Sequence, residues 1–116
     1  MHINAHATST PAGDLAEARA LRKVLGDNAD QASVTAVKGA TGHLLGGAGS
    51  LAAIATILAL RDRIAPPIVN LTDIDPEVDI DVIIGQPREL PSGDIAGMSN
   101  SFGFGGHDVV LTFKSA

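Results

Sequence analysis

The sequence predicts an α/β fold, and three observations carry that expectation. One segment has a helical apolar period with stop and start signals, several short β-branched runs are bounded by turn residues, and one further helix is apolar on every side. The chain has 116 residues, which makes it one domain or a piece of one, with a real but modest core. Apolar residues reach 45% but aromatics only 3%, so that core must be built from closely packed Ala, Val, Leu and Ile.

The elements follow in order. His2 to Ala5 is too short to classify by period. Asp14 and Glu17 have the spacing of a capping box. Leu15, Ala18, Leu21 and Leu25 then recur on one helical face, and Gly26 supplies a natural stop. Ser33 to Val37 is short and β-branched and reads as a strand. Lys38 to Gly49 reads as a loop carrying five glycines. The second helix runs from about Gly49 to Arg63, and its Leu, Ile and Ala residues leave no polar face. Such a helix is expected to be covered on all sides, which hints at a folding unit larger than these 116 residues. Pro66-Pro67 enforces an extended exit. Acidic residues alternate from Asp73 to Asp81 and lead into a half-exposed strand at Val82 to Ile84. The last two strands are expected at about Ile95–Ser101 and Asp108–Lys114. Gly103, Gly105 and Gly106 between them suit a tight hairpin with positive φ angles.

Composition excludes several classes of function. The net charge of −5, with six basic residues before residue 64 that form no run, argues against nucleic-acid binding. The absence of Cys excludes a disulfide framework, a Cys-ligated zinc site and a Cys nucleophile on this chain. No basic-plus-apolar leader opens the chain, so the expected compartment is the cytoplasm. The uncharged stretch from Leu44 to Leu60 falls short of the ~20 residues a spanning helix needs and reads as a buried helix, with no membrane insertion. Gly47-Ala48-Gly49 with Ala52 imitates a dinucleotide fingerprint, but it does not directly follow a strand and has no acid about 20 residues on. The glycines there read instead as allowing close backbone approach at the start of the buried helix. His2 and His6 have i, i+4 spacing but no third ligand, so no metal site is expected. Taken singly, His6, His43 and Lys38 each read as an ordinary structural or surface residue.

Three longer motifs change that reading. Asn4-Ala5-His6-Ala7-Thr8-Ser9-Thr10-Pro11, Lys38-Gly39-Ala40-Thr41-Gly42-His43-Leu44-Leu45-Gly46 and Asn100-Ser101-Phe102-Gly103-Phe104-Gly105-Gly106 resemble, in order and spacing, the β-ketoacyl-acyl-carrier-protein synthases. Leu60-Arg61-Asp62 and Pro66-Pro67 with Asn70-Leu71 look like the same family, so the resemblance covers essentially the whole chain. It is most similar to the elongating condensing enzymes of type II fatty acid synthesis.

The resemblance implies the C-terminal part of a thiolase-like layered α/β/α/β/α fold, with a mixed sheet and the apolar helix in the central layer. Residues 1–116 are then a C-terminal domain fragment, and the N-terminal half with the nucleophilic Cys lies outside this sequence. The implied reaction is a decarboxylative Claisen condensation of an acyl thioester with malonyl-acyl carrier protein. His6 and His43 are implied as imidazole donors to the developing oxyanion, with His43 kept neutral by the helix that follows it. Lys38 is implied as the active-site lysine, Thr8 and Thr10 as pantetheine contacts, and Phe102, Gly103, Phe104, Gly105 and Gly106 as the gate at the acyl pocket. Acyl carrier protein is the implied partner, together with the missing half or a homodimer partner. No cofactor is implied, since the acyl groups ride on the carrier's phosphopantetheine. Ala52 departs from the family, where a Glu usually pairs with the active-site lysine. A non-catalytic paralogue, or a subunit acting like a chain-length factor, is the alternative.

Overall fold

The computed structural model describes residues 1–115. Its main sheet has the order β2 (Ser33–Thr35), β1 (His2–Asn4), β5 (Ala96–Gly103), β6 (His107–Lys114). β1 lies parallel to both β2 and β5, and β5 and β6 form an antiparallel hairpin, so the sheet is mixed. The segment expected as a strand at Val82–Ile84 makes only a single parallel bridge. Val34 N–H donates to Asp81 and Ile83 N–H donates to Val34, both at 2.9 Å, so it flanks β2 without becoming a strand. β3 (Ile64–Ala65) and β4 (Arg88–Glu89) make a separate two-stranded ribbon.

β1, which its length left unclassified, is the buried centre of the sheet, and its alternation sorts the two faces. Ile3 and Ala5 point one way, into a cluster with Val34, Ala32 and Leu21 of α1 (Pro11–Leu25). His2 and Asn4 point the other way, toward α3 (Ala48–Asp62), where the Asn4 amide donates to the Ala52 carbonyl at 3.1 Å. Helix α3 is drawn close to the sheet by Gly97. A Cβ there would meet Leu60 Cδ1 at 2.8 Å and Thr56 Cγ2 at 3.0 Å. The glycines before α3 have no such role: a Cβ on Gly49 would make only an ordinary contact with Ser101. Close approach is therefore provided by Gly97 of β5 against the middle of α3, and not by glycines at the start of that helix.

Helix α1 starts four residues earlier than its capping-box spacing implies, with Pro11 in its first turn and Gly26, at φ 55°, closing it through a bond to the Arg22 carbonyl. Asp14 and Glu17 lie inside the helix and cap nothing. The acidic segment after Thr72 is fastened to α1 by Arg19–Glu77 at 2.9 Å and Arg22–Asp79 at 3.2 Å. The Phe104-Gly105-Gly106 turn has φ of 85° and 79° at its two glycines, as the hairpin required.

α3 is 15 residues long and spans about 22 Å, shorter than the ~30 Å apolar core of a bilayer. Its Ala52, Thr56, Ala59 and Leu60 are buried against the sheet. The opposite side carries Ile54, Ile57 and Leu58 at 54%, 46% and 41% exposure, and Val109 and Leu111 of β6 are similarly open. A helix apolar all round is thus covered on one side only. Burying such a patch is worth about 25 cal/mol per Å². The 116-residue chain is expected to self-associate at micromolar concentration, and Ile57→Lys with Leu58→Glu to weaken that association, as sedimentation velocity would record.

His2 is fully buried, and both its ring nitrogens lack a hydrogen-bond partner. Burial pushes its pKa down to about 4. The unfolded chain, with an ordinary imidazole, binds a proton that the folded chain refuses. Stability is therefore complete above pH 6.5 and is lost as pH falls toward 4. Urea titrations are expected to show about 2 kcal/mol less stability from this residue at pH 5 than at pH 7, a component that His2→Phe abolishes.

Candidate active site

The cleft forms where the first loop leaves the sheet beside α2 (Lys38–Thr41). That segment was expected to be loop throughout, but it contains this single helical turn and a 3-10 turn at Leu45–Gly47. Ala7, Thr8, Lys38, His43, Ile68 and Asn70 help to line a cavity of about 340 Å³. Ala7, Ser9, Leu45 and Asn70 around it all have positive φ, at 32°, 64°, 51° and 65°, so backbone strain concentrates here.

Two imidazoles meet in the site. The rings of His6 and His43 stand edge to face with centroids 6.0 Å apart, and Phe102, at the end of β5, packs edge-on against His6 at 5.5 Å. The Leu45 amide donates to His43 Nδ1 at 3.0 Å. That bond makes Nδ1 the acceptor and leaves the ring proton on Nε2. The local turn thus orients His43, where the sequence pointed to the start of α3 five residues on. For His6, burial lowers the pKa, and the nearby positive charge of Lys38 lowers it further, so the neutral imidazole is favoured. Burial also lowers the pKa of Lys38, while the negative charge of Glu17 acts in the opposite direction.

Glu17 is the site residue that sequence reasoning missed. It is 7% exposed, and its carboxylate accepts from the backbone N–H of His6, the N–H of Ala7 and the side-chain amide of Asn100, each at 2.9 Å. It binds the imidazole loop to α1 and β5 at once. Its negative charge is also the one that works against burial at Lys38. Ala52 itself is buried on α3, and its carbonyl accepts from Asn4 and Thr56. The available signal was the acid at position 17 preceding a helix face, but the same spacing fits a cap equally well.

The remaining predicted residues divide. Thr8 lines the cavity, and its hydroxyl lies 3.5 Å from that of Thr10, which sits over the first turn of α1. Phe102 belongs to the His6 cluster. Phe104 is fully exposed at the hairpin tip, and Gly103, Gly105 and Gly106 are exposed around it, outside the cavity. The structure therefore brings His6, His43, Lys38, Thr8 and Phe102 together and leaves the hairpin tip apart.

Residues 1–72 match the family described as "Beta-ketoacyl synthase, C-terminal domain", and the chain belongs to that family. The 3-oxoacyl-[acyl-carrier-protein] synthase 2 of Synechocystis sp. is 51% identical over 113 residues, 97% of this chain and 27% of that protein. A solved β-ketoacyl synthase from Burkholderia phymatum is 35% identical with a TM-score of 0.89, covering 99% of this chain and 27% of that one. A solved type II polyketide ketosynthase in complex with its acyl-carrier protein is 30% identical with a TM-score of 0.90, covering 99% and 28%. The mixed sheet and its helices are thus those of the ketosynthase fold, and the chain spans about a quarter of the length of the relatives it matches.

Removing the Glu17 carboxylate leaves two backbone donors and one side-chain donor without their acceptor. Glu17→Ala is expected to cost about 3 kcal/mol in chemical denaturation, and Glu17→Gln less, because its carbonyl keeps one acceptor.

Proposed function

We propose that this chain is the part of a β-ketoacyl-acyl-carrier-protein synthase that stabilises the enolate during decarboxylative condensation in fatty acid synthesis. The observation that carries the reading is the His6–His43 pair, with His43 locked as an Nε2–H donor by the Leu45 amide.

The chemistry needs such a pair. An acyl group is held as a thioester on a Cys supplied from outside these 116 residues. Malonyl-acyl carrier protein loses carbon dioxide, and the electron pair of the broken C–C bond moves onto the thioester as an enolate. Negative charge develops on the thioester oxygen, where two N–H donors lower the barrier, each worth about 2.7–4 kcal/mol. The enolate carbon then attacks the acyl thioester, the new C–C bond forms, and the Cys thiolate leaves. His6, whose pKa burial lowers, and His43, whose Nδ1 accepts from the Leu45 amide, each leave a ring N–H free to donate. Lys38 supplies a fixed positive charge beside them, balanced by Glu17. Thr8 and Thr10 offer hydroxyls to the pantetheine arm, and Phe102, against His6, borders the acyl pocket as a gate with the glycine-rich hairpin. Acyl carrier protein is the partner and the cytoplasm the compartment. No cofactor takes part.

The non-catalytic alternative rests on Ala52 and on the absent Cys, and the intact His6, Lys38 and His43 favour the catalytic reading over it. With a Cys-bearing half supplied, His6→Ala and His43→Ala are each expected to slow malonyl-carrier decarboxylation about 100-fold or more. Unchanged release of carbon dioxide in either variant removes that residue from the role.

A further inference from the structure

Lys38 and His43 bracket a helix that cannot stand by itself. α2 is four residues long, with Lys38 its first residue and His43 just past Gly42, which closes it by a 2.9 Å bond from its N–H to the Lys38 carbonyl. One turn of helix is unstable in water without outside support. We propose that Asn70 is the positioning residue that supplies it: from a shelf formed by residues 66–70, its side-chain amide holds the Gly39 carbonyl and thereby sets α2, with Lys38 at one end and His43 at the other.

The shelf is firmly placed. The Thr35 hydroxyl donates to the Pro66 carbonyl at 2.7 Å, and the Ile68 amide donates to the Ile83 carbonyl at 2.9 Å, so the segment is tied to β2 and to the strand-like stretch beside it. Its last residue, Asn70, has φ 65°, a conformation that Asn tolerates better than most side chains. From there the amide reaches the Gly39 carbonyl at 3.4 Å. α2 also rests directly on the shelf. A Cβ at Gly39 would lie 2.4 Å from the Val69 carbonyl oxygen and 3.4 Å from Ile68 Cγ2, so the two backbones touch where a side chain would part them. A second long bond, 3.4 Å from the Val37 amide to Asn4 Oδ1, steadies the residue before the turn. Each bond is weak alone, being longer than the usual amide bond. Together with the backbone contact they hold the turn from both sides. Lys38 stays half-buried in the cleft only while α2 lies on this shelf.

The functional weight of the clamp rests on the roles given above to Lys38 and His43, but its existence does not. It is therefore tested by position and not by turnover, and either idea can fail without the other. Asn70→Gly keeps the left-handed backbone and removes the amide, and Asn70→Ala removes both. In the 116-residue chain, NMR would follow the titration of Lys38 through its Cε shift and the exchange of the Gly42 amide. Both variants are expected to move Lys38 upward toward an ordinary lysine pKa and to speed Gly42 exchange up to about tenfold. Leu25→Ala, at the end of α1 and packed against the cluster of Ile3, Ala5 and Leu21, loosens the fold away from the shelf and is expected to leave Lys38 unmoved. Unchanged Lys38 titration and Gly42 exchange in a folded Asn70→Gly chain, or equal changes in Leu25→Ala, would overturn the proposal.

Discussion

The rest of the molecule depends on one buried carboxylate. Glu17 is buried on α1, where an unpaired charge costs several kcal/mol. It is tolerable because three donors from three places converge on it: the His6 and Ala7 amides at the end of β1, and the Asn100 side chain on β5. Those bonds turn the backbone after β1 through the positive φ of Ala7 and Ser9 and aim His6 at His43. The three hydrogen bonds offset both the strain of the loop and the burial of the charge. Neither would persist without the other, and the imidazole inherits its position from both.

The two faces of the sheet differ in kind. The face under α1 is apolar, built on Ile3, Ala5 and Val34. The face under α3 carries His2, Asn4, Thr35, Gly97 and Ser99, small or polar, matched by Thr56 on the helix. Small residues let α3 approach closely enough for the Asn4 amide to reach the Ala52 carbonyl, a bond from a sheet side chain to the helix backbone. That contact also explains a tolerated alanine: at position 52 the backbone carbonyl does the bonding, and the side chain only has to be small enough to be buried.

What could be read in the sequence was what local pattern determines. The helix ending at Gly26, the apolar helix from about residue 49 and the glycine hairpin after Phe102 all lie close to where period, cap and turn chemistry put them. The imidazole pair and Lys38 were legible through the three motifs, and the structure gathers them. What stayed hidden depends on partners distant along the chain. β1 is three residues long and becomes a strand only because Ser33–Thr35 and Gly97–Ser99 lie on either side of it. Glu17 looked like a cap because its spacing permits one, and its actual partner, Asn100, is 83 positions away. α2 is too short to announce itself and exists because a shelf from residues 66–70 lies under it. The hydrogen bond that orients His43 comes from a residue in a strained conformation, which no propensity favours.

The placing of β1 has a consequence for how the protein is made. His2 pairs with Gly97, about 95 residues later, across the middle of the four-stranded sheet. Synthesis in the N-to-C direction releases β1 about 95 residues before its second neighbour. Until then Ile3 has a partner strand on one side only, and the turn bearing His6 lacks Asn100. Pairing across such a span makes folding slow compared with a helical bundle of the same size. Over that interval a segment that ends fully buried is exposed to whatever else binds apolar chain.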